Sequence, residues 1–278
     1  MKVEIRQHRL WVDGRSVELR PTPNREPGLA PRYLVMHYTA GPTARSAIQT
    51  LIDPAAKASA HLVIDRDGTT TQLVAFNEIA WHAGESRWEG LSGLNAFSLG
   101  IELVNAGPLD RVAGKWRAWF GSNYPAAEVM EAAHKNEPGC VRGWLVYPPK
   151  QLQAAIAIGR ALVGAYALRD VVGHDDIAPA RKQDPGPAFP MDLYRGGVMG
   201  RGDDALSRYE VVNVTSGLRF RSGPSSDSAL LRESPLKRGT RLNLVRRDGA
   251  WCHVEVLNAA GKPAATGWVH GDYIAPLE

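Results

Sequence analysis

The chain has 278 residues, 44% of them apolar and 22% charged, and a net charge of +4; that length suits one large domain or a large and a small one, of ordinary globular composition. No apolar run reaches the length of a membrane span. The charge is too small to argue for nucleic acid, although ten Lys/Arg against seven Asp/Glu from Ser207 onward place most of it in the last quarter, where it would weakly attract a polyanion.

In chain order, the opening "MKVEIRQHRLWVDGRSVELR" alternates charged and apolar residues and holds no apolar h-region. The expectation is synthesis in the cytoplasm without a Sec-type signal, so that any work outside the cell would need lysis or another export route. "YLVMHYT" (33–39) reads as a strand, and a short helix follows Gly41-Pro42 through Ala47, Ile48 and Leu51. "AHLVIDRDGTTTQLV" (60–74) reads as a hairpin turned at Asp65-Arg66-Asp67-Gly68, and "SLGIELVN" (98–105) as another strand. Residues 106–147 carry Trp116, Trp119, Phe120, Tyr124 and Trp144, with one helix expected at 126–135. A long helix is expected over 150–168, opened by Pro148-Pro149 and bearing Leu152, Ile156, Val163 and Tyr166 on one face. Strands interleaved with helices predict an α/β fold, a mixed central β-sheet flanked by helices.

"GHDDIAPARKQDPGPAFP" (173–190) contains four prolines, which rule out a regular helix, and its density of charged groups asks for a reason beyond connection. "YRGGVMGRGDDALS" (194–207) reads as a linker, and its Arg201-Gly202-Asp203 is a chance match to an adhesion tripeptide. Beyond it, short strand-like runs separated by Gly, Pro, Ser and Asp predict a small all-β barrel. The domain reading is therefore 1–193, a linker at 194–207, and 208–278. Cys140 and Cys252 lie too far apart in sequence to suggest a disulfide framework or a metal knuckle, and are expected to be unpaired.

Of the eight histidines, His8, His253 and His270 fall in strands or at their edges and His134 in a polar helical stretch, where a hydrogen-bonded or solvated imidazole is the default. His37 ends an apolar strand and His174 follows another, with Asp184 ten residues on in the proline-rich loop. Two histidines and a carboxylate suit a catalytic zinc with an open fourth position, but the spacing alone favours three solitary polar residues.

"YLVMHYTAG", "SAHLVIDRDGTTTQLV", "AWHAG", "SLGIELVN" and "GHDDIAPARKQDPGPAFP", in this order, resemble the zinc N-acetylmuramoyl-L-alanine amidases, the amidase-2 enzymes of the peptidoglycan-recognition-protein superfamily. The resemblance implies a groove for muropeptide and one Zn²⁺ ion held by His37, His174 and Asp184. It further implies Glu102 as the catalytic carboxylate, which takes a proton from the attacking water, and Lys182 as the cation facing the charge that develops on the carbonyl oxygen. His82 is placed beside the substrate peptide, His61 as a structural histidine, and the 116–144 aromatics as a groove wall or an inserted apolar cluster. Residues 209–277, through "RSGP", "KRGT", "GAW" and "GWVH", resemble the bacterial SH3-like domains attached to cell-wall hydrolases, which implies a targeting role, with Trp251, Trp268 and Tyr273 either an aromatic binding surface or part of the barrel core. The implied activity is hydrolysis of the amide between N-acetylmuramic acid and the L-alanine of the stem peptide, on peptidoglycan or muropeptides, in the manner of an endolysin. Two alternatives stay open: a non-catalytic peptidoglycan receptor on the same fold, and a cytoplasmic recycling amidase for soluble anhydromuropeptides.

Overall fold

A six-stranded mixed sheet organises the first of two units, Met1–Met199, in this computed structural model, which describes residues 1–199, 208–248, 250–259, 261 and 263–277. Its strand order is Asp170–Gly173, Tyr33–Tyr38, Ser98–Leu103, Leu62–Ile64, Thr70–Gln72 and Glu18–Leu19. The first four run parallel, and the Leu62–Ile64/Thr70–Gln72 pair is antiparallel, turned at Asp65–Gly68. Tyr33–Tyr38 and Ser98–Leu103 lie in the middle of this sheet, which is why "YLVM" reads as an unbroken apolar run. Alternation still sorts the side chains. Leu34 and Met36 enter the main core, whereas Tyr33 and Val35 join Ala83, Leu94, Val172 and Ile177 on the opposite face.

Helix α1 (Ala44–Ile52) is capped by Thr43, whose hydroxyl accepts from the Ser46 N–H. Helix α2 (Pro149–Tyr166) begins with proline where its missing N–H is harmless, and ends at Ala167 in the left-handed region. Its deepest residues are Ala154, Ala155, Ile158 and Leu162, with Leu152, Ile156, Val163 and Tyr166 half-buried around them. The predicted stripe is thus the flank of the buried face. Gln151 ties the start of α2 to the sheet by donating to the Ile64 and Val104 carbonyls at 3.0 and 3.1 Å. No helix among the described residues is long and apolar enough to cross a membrane.

Three expectations are corrected. Residues 126–135 form a 3-10 turn, Ala126–Glu128, followed by the strand Val129–His134, not a helix. The helix-favouring Met, Glu and Ala there are overridden by pairing with Glu137–Leu145 in a five-stranded sheet of the inserted region. His134 accordingly sits buried at a strand end. The linker expected from 194 is helical as far as Val198: α4 (Met191–Val198) buries Tyr194 completely against α2. The rest of that segment, 200–207, with the Arg-Gly-Asp tripeptide, lies outside the described residues.

The second unit, Gly200–Glu278, contains a five-stranded antiparallel sheet ordered Pro263–His270, Trp251–Leu257, Arg241–Asp248, Arg208–Val211 and Ile274–Pro276. Val211, Phe220, Leu242, Cys252, Val254 and Val269 fill its core. Cys140 is exposed and Cys252 buried, and neither forms a disulfide.

The seam between α2 and α4 depends on Gly159, where a Cβ would lie 2.6 Å from the Tyr194 hydroxyl and 2.7 Å from a Val198 methyl. Gly159→Val should therefore destabilise the first unit by about 1–3 kcal/mol despite removing a helical glycine. A urea midpoint unchanged in the variant would contradict this close approach.

Candidate functional site

The carboxyl ends of adjacent parallel strands are where an open α/β sheet presents its functional groups. His37, the penultimate residue of Tyr33–Tyr38, is in register with Glu102 of Ser98–Leu103, so both side chains leave the same face. His174 opens the short α3 (His174–Ile177) immediately after Asp170–Gly173, the strand on the other side of Tyr33–Tyr38. Asp184 is carried back to them by the proline-rich loop. Its carbonyl accepts from the Asp175 N–H at 2.8 Å, and the next carbonyl, that of Pro185, accepts from the Tyr147 hydroxyl at 2.7 Å. Three residues separated by up to 147 positions thus meet: the Nδ1 atoms of His37 and His174 are 3.0 Å apart, and each is 2.9 Å from Asp184 Oδ2. All three are buried and could hold a metal ion.

Hydrogen-bond polarity indicates what this cluster wants. His174 Nε2 faces the Ala83 carbonyl at 3.1 Å, and only an N–H can satisfy that contact. His82 Nε2 faces the Ser98 carbonyl at 3.3 Å, which assigns its proton there and leaves its Nδ1 as an acceptor. That Nδ1, 3.0 Å from His37 Nε2, in turn places the His37 proton on Nε2. Both Nδ1 lone pairs therefore point, with a carboxylate oxygen, at one another. Protonation is not an easy escape, because burial, reinforced by the neighbouring His174, lowers the His37 pKa to about 4. A cation between the three is the arrangement that satisfies all of them, and imidazole with carboxylate suits zinc or a similar divalent ion. Burial alone would raise the Asp184 carboxyl, but hydrogen bonds from His174 and His37 outweigh it and hold the group below the usual carboxylate range.

Glu102 and Lys182 line the same cleft, a cavity of about 500 Å³ that also takes in His82. Burial pushes Glu102 up to about 8, with the Asp184 charge adding and Lys182 opposing, and its Oε2 is buried without a hydrogen-bond partner. Every site residue expected from the sequence is thus brought to one cleft. His61 is not in it: its Nε2 faces the Glu78 carbonyl at 2.9 Å and its Nδ1 accepts from the Gly100 N–H at 3.0 Å, as suits a structural histidine.

Two supports are not legible in the sequence. His82, expected beside the substrate, also fixes the orientation and tautomer of His37. Its ring lies against the backbone of Gly100, where a Cβ would come within 2.5 Å of Cγ. The second support is Asp175, which reads in sequence as one of two conspicuous loop acids. It is buried and accepts from His134 Nε2 at 3.0 Å and Lys135 Nζ at 2.9 Å, while Asn136 Nδ2 donates to its carbonyl at 3.0 Å. The inserted hairpin is thereby clamped onto the loop that carries Asp184. The signal available beforehand was only an acid beside a predicted ligand. Beside the main cleft, and sharing Thr39, Ala40, Leu51 and Glu102 with it, a further cavity of about 400 Å³ runs between α1 and Trp119. Trp119 is 77% exposed and is held by its indole N–H donating to the Ala40 carbonyl at 2.7 Å.

Residues 27–187 match the family model of the N-acetylmuramoyl-L-alanine amidases. The chain is 34% identical over 168 residues to N-acetylmuramoyl-L-alanine amidase AmiD of Escherichia coli (strain K12), covering 57% of this chain and 50% of that protein. It is also 34% identical over 141 residues to 1,6-anhydro-N-acetylmuramyl-L-alanine amidase AmpD of the same organism, covering 50% of this chain and 57% of that one. The chain thus spans about half the length of the curated relatives it matches. A crystal structure of a selenomethionine AmpD derivative superposes with a TM-score of 0.50 at 27% identity, over 70% of this chain and 98% of that one.

Buried neutral histidines make stability depend on pH. Burial lowers His61, like His37, from 6.5 to about 4. The unfolded chain takes up these protons first as pH falls, so stability should drop progressively from about pH 6.5 towards pH 4. Melting of chelator-treated protein across that window checks this, and a flat profile would contradict the neutral assignment. His134→Ala should leave the Asp175 carboxylate buried beside Lys135 alone, at a cost of about 1–3 kcal/mol. It should also weaken divalent-metal binding measured by calorimetry, whereas unchanged affinity would limit the clamp to stability.

Proposed function

The chain belongs to the N-acetylmuramoyl-L-alanine amidase family, and from that membership we propose that it is a zinc-dependent peptidoglycan amidase. The bond cleaved is the amide between the lactyl group of N-acetylmuramic acid and the L-alanine of the stem peptide. The observation that carries this reading is the convergence of three lone-pair donors in an open cleft with Glu102, whose buried Oε2 has no hydrogen-bond partner. His37 Nδ1, His174 Nδ1 and Asp184 Oδ2 would hold the zinc. When bound, zinc supplies Lewis acidity for the scissile carbonyl and acidifies a nearby water.

The chain's own residues account for the proton and charge movements. Glu102 accepts a proton from the water whose oxygen attacks the lactyl carbonyl carbon, and Lys182 opposes the burial that raises its pKa. The Lys182 ammonium faces the negative charge that grows on the carbonyl oxygen. Glu102 then returns the proton to the alanine nitrogen as the carbon–nitrogen bond breaks. His82 and the Ala83 and Ser98 carbonyls keep both imidazoles in the required tautomer throughout. A pure receptor would need neither the buried donor set nor the unpartnered base.

The cavity walled by Trp119 adjoins this cleft and suits the sugar side of the substrate, since an exposed indole offers an apolar face to a pyranose ring. The name of the AmpD relatives points to 1,6-anhydro-muramyl peptides as one substrate form, so soluble muropeptides stand beside polymeric peptidoglycan as substrates. The second unit is read as an SH3-like module that holds the enzyme on the wall, supported by its five-stranded antiparallel sheet.

Glu102→Gln should keep the metal and lose on the order of 10²- to 10⁴-fold in turnover. Asp184→Ala should lose the metal itself. Elemental analysis alongside mass-spectrometric identification of the products of peptidoglycan digestion, with and without chelator, tests both roles. Equal metal content in the two variants would refute the division of labour, and failure of the metal-loaded protein to release L-alanine-terminated peptides would refute the activity.

A further inference from the structure

The second unit contains a cleft of its own, of about 480 Å³, within the size range of small-ligand sites. It is lined by Asn213, Leu218 and Arg221 of one segment together with Trp251, His270 and Tyr273. Arg221 lines this cleft while only 6% exposed. Its Nη1 donates to the Ser228 carbonyl at 2.6 Å, and among the described residues no carboxylate pairs with it. A buried guanidinium has five donors and a full charge, and leaving it without an anion is unfavourable. The described residues that line the cleft include no acid, while Arg219 adds an exposed cation. His270 contributes a second unmet group: its Nδ1 is buried without a hydrogen-bond partner, with Asp272 Oδ2 standing 3.6 Å off. Its ring is edge-on to Trp251 at 5.4 Å and to Tyr273 at 5.9 Å, which builds a continuous aromatic wall.

We propose that this cleft recognises a carboxylate-bearing peptide, with Arg221 as the anchor for the carboxylate and Trp251 and Tyr273 as apolar walls for the peptide body. A guanidinium fork matches a planar carboxylate with two parallel hydrogen bonds. The lining, which includes Val214 and Leu218 besides the rings, suits a ligand with an apolar body, which a bare phosphate lacks. A single buried cation also differs from the rows of exposed ones that track a polyanion. Trp268, which the sequence leaves open between an aromatic surface and the barrel core, is buried in the unit. The inference rests on the wall-binding reading of the second unit and not on the amidase activity, because the cleft and its lining belong wholly to that unit.

The test follows the Trp251 indole N–H resonance of the full chain during titration with the tripeptide L-Ala-γ-D-Glu-L-Lys. The free peptide lacks the scissile muramoyl bond, so turnover does not intervene. Saturable shifts at Trp251 are expected, with affinity falling on the order of tenfold for the fully amidated peptide and for Arg221→Gln. Equal binding of the amidated peptide, or an equivalent response to inorganic phosphate, would overturn the proposal. So would an unchanged affinity in a folded Arg221→Gln protein. Should that variant unfold, the comparison of free and amidated peptides on the unaltered chain still decides.

Discussion

Three lone pairs pointing at one another form the constraint on which the catalytic unit depends. The two imidazoles are not free to relieve it, because their remaining nitrogens are committed, one to the Ala83 carbonyl and the other through His82 to the Ser98 carbonyl. Backbone groups therefore dictate side-chain tautomers, and tautomers dictate that a cation belongs in the centre. Much of the local architecture serves these commitments. Asn95 accepts from the His82 and Ala83 N–H groups at 3.0 and 2.7 Å, and Arg181 binds the Ala83 carbonyl from the loop side at 2.8 Å.

The ligand-bearing loop is held from three directions. Arg181 ties it to the 83–85 segment, Tyr147 binds the Pro185 carbonyl, and the inserted hairpin grips Asp175 through His134, Lys135 and Asn136. Burial pushes the Asp175 carboxyl up, and Lys135 and His134 oppose that shift. A polar knot of this kind is valuable for specifying one geometry more than for net stability. The same 106–147 region carries Trp119 to the cavity adjoining the cleft, so a single excursion of the chain both braces the loop and extends the surface beside the catalytic groups.

Legibility in the sequence followed how local each cause was. The Tyr33–Tyr38 strand, the hairpin turned at Asp65–Gly68 and helix α2 announce themselves through apolar runs, turn residues and proline placement, signals that act within a few residues. Residues 126–135 misled because their composition favours helix, while the deciding influence was pairing with Glu137–Leu145. Helix α4 hid within a glycine-rich stretch because its stability comes from burying Tyr194 and Val198 on α2, not from propensity.

His37, Glu102, His174, Lys182 and Asp184 could be named from ordered motifs, and their types already contained the chemistry of a metal, a base and a cation. What the sequence by itself determined was therefore the cast of reactive groups and the elements that carry most of them. Only the tertiary structure decided which nitrogen of each imidazole is free, that His82 and Asp175 are supports, and that Arg221 is buried with no carboxylate partner among the described residues of the second unit. Each of these is a contact between residues far apart in the chain or a burial imposed by the whole unit. Hydrogen-bond polarity and desolvation are properties of such surroundings, and they do not exist until the chain has folded.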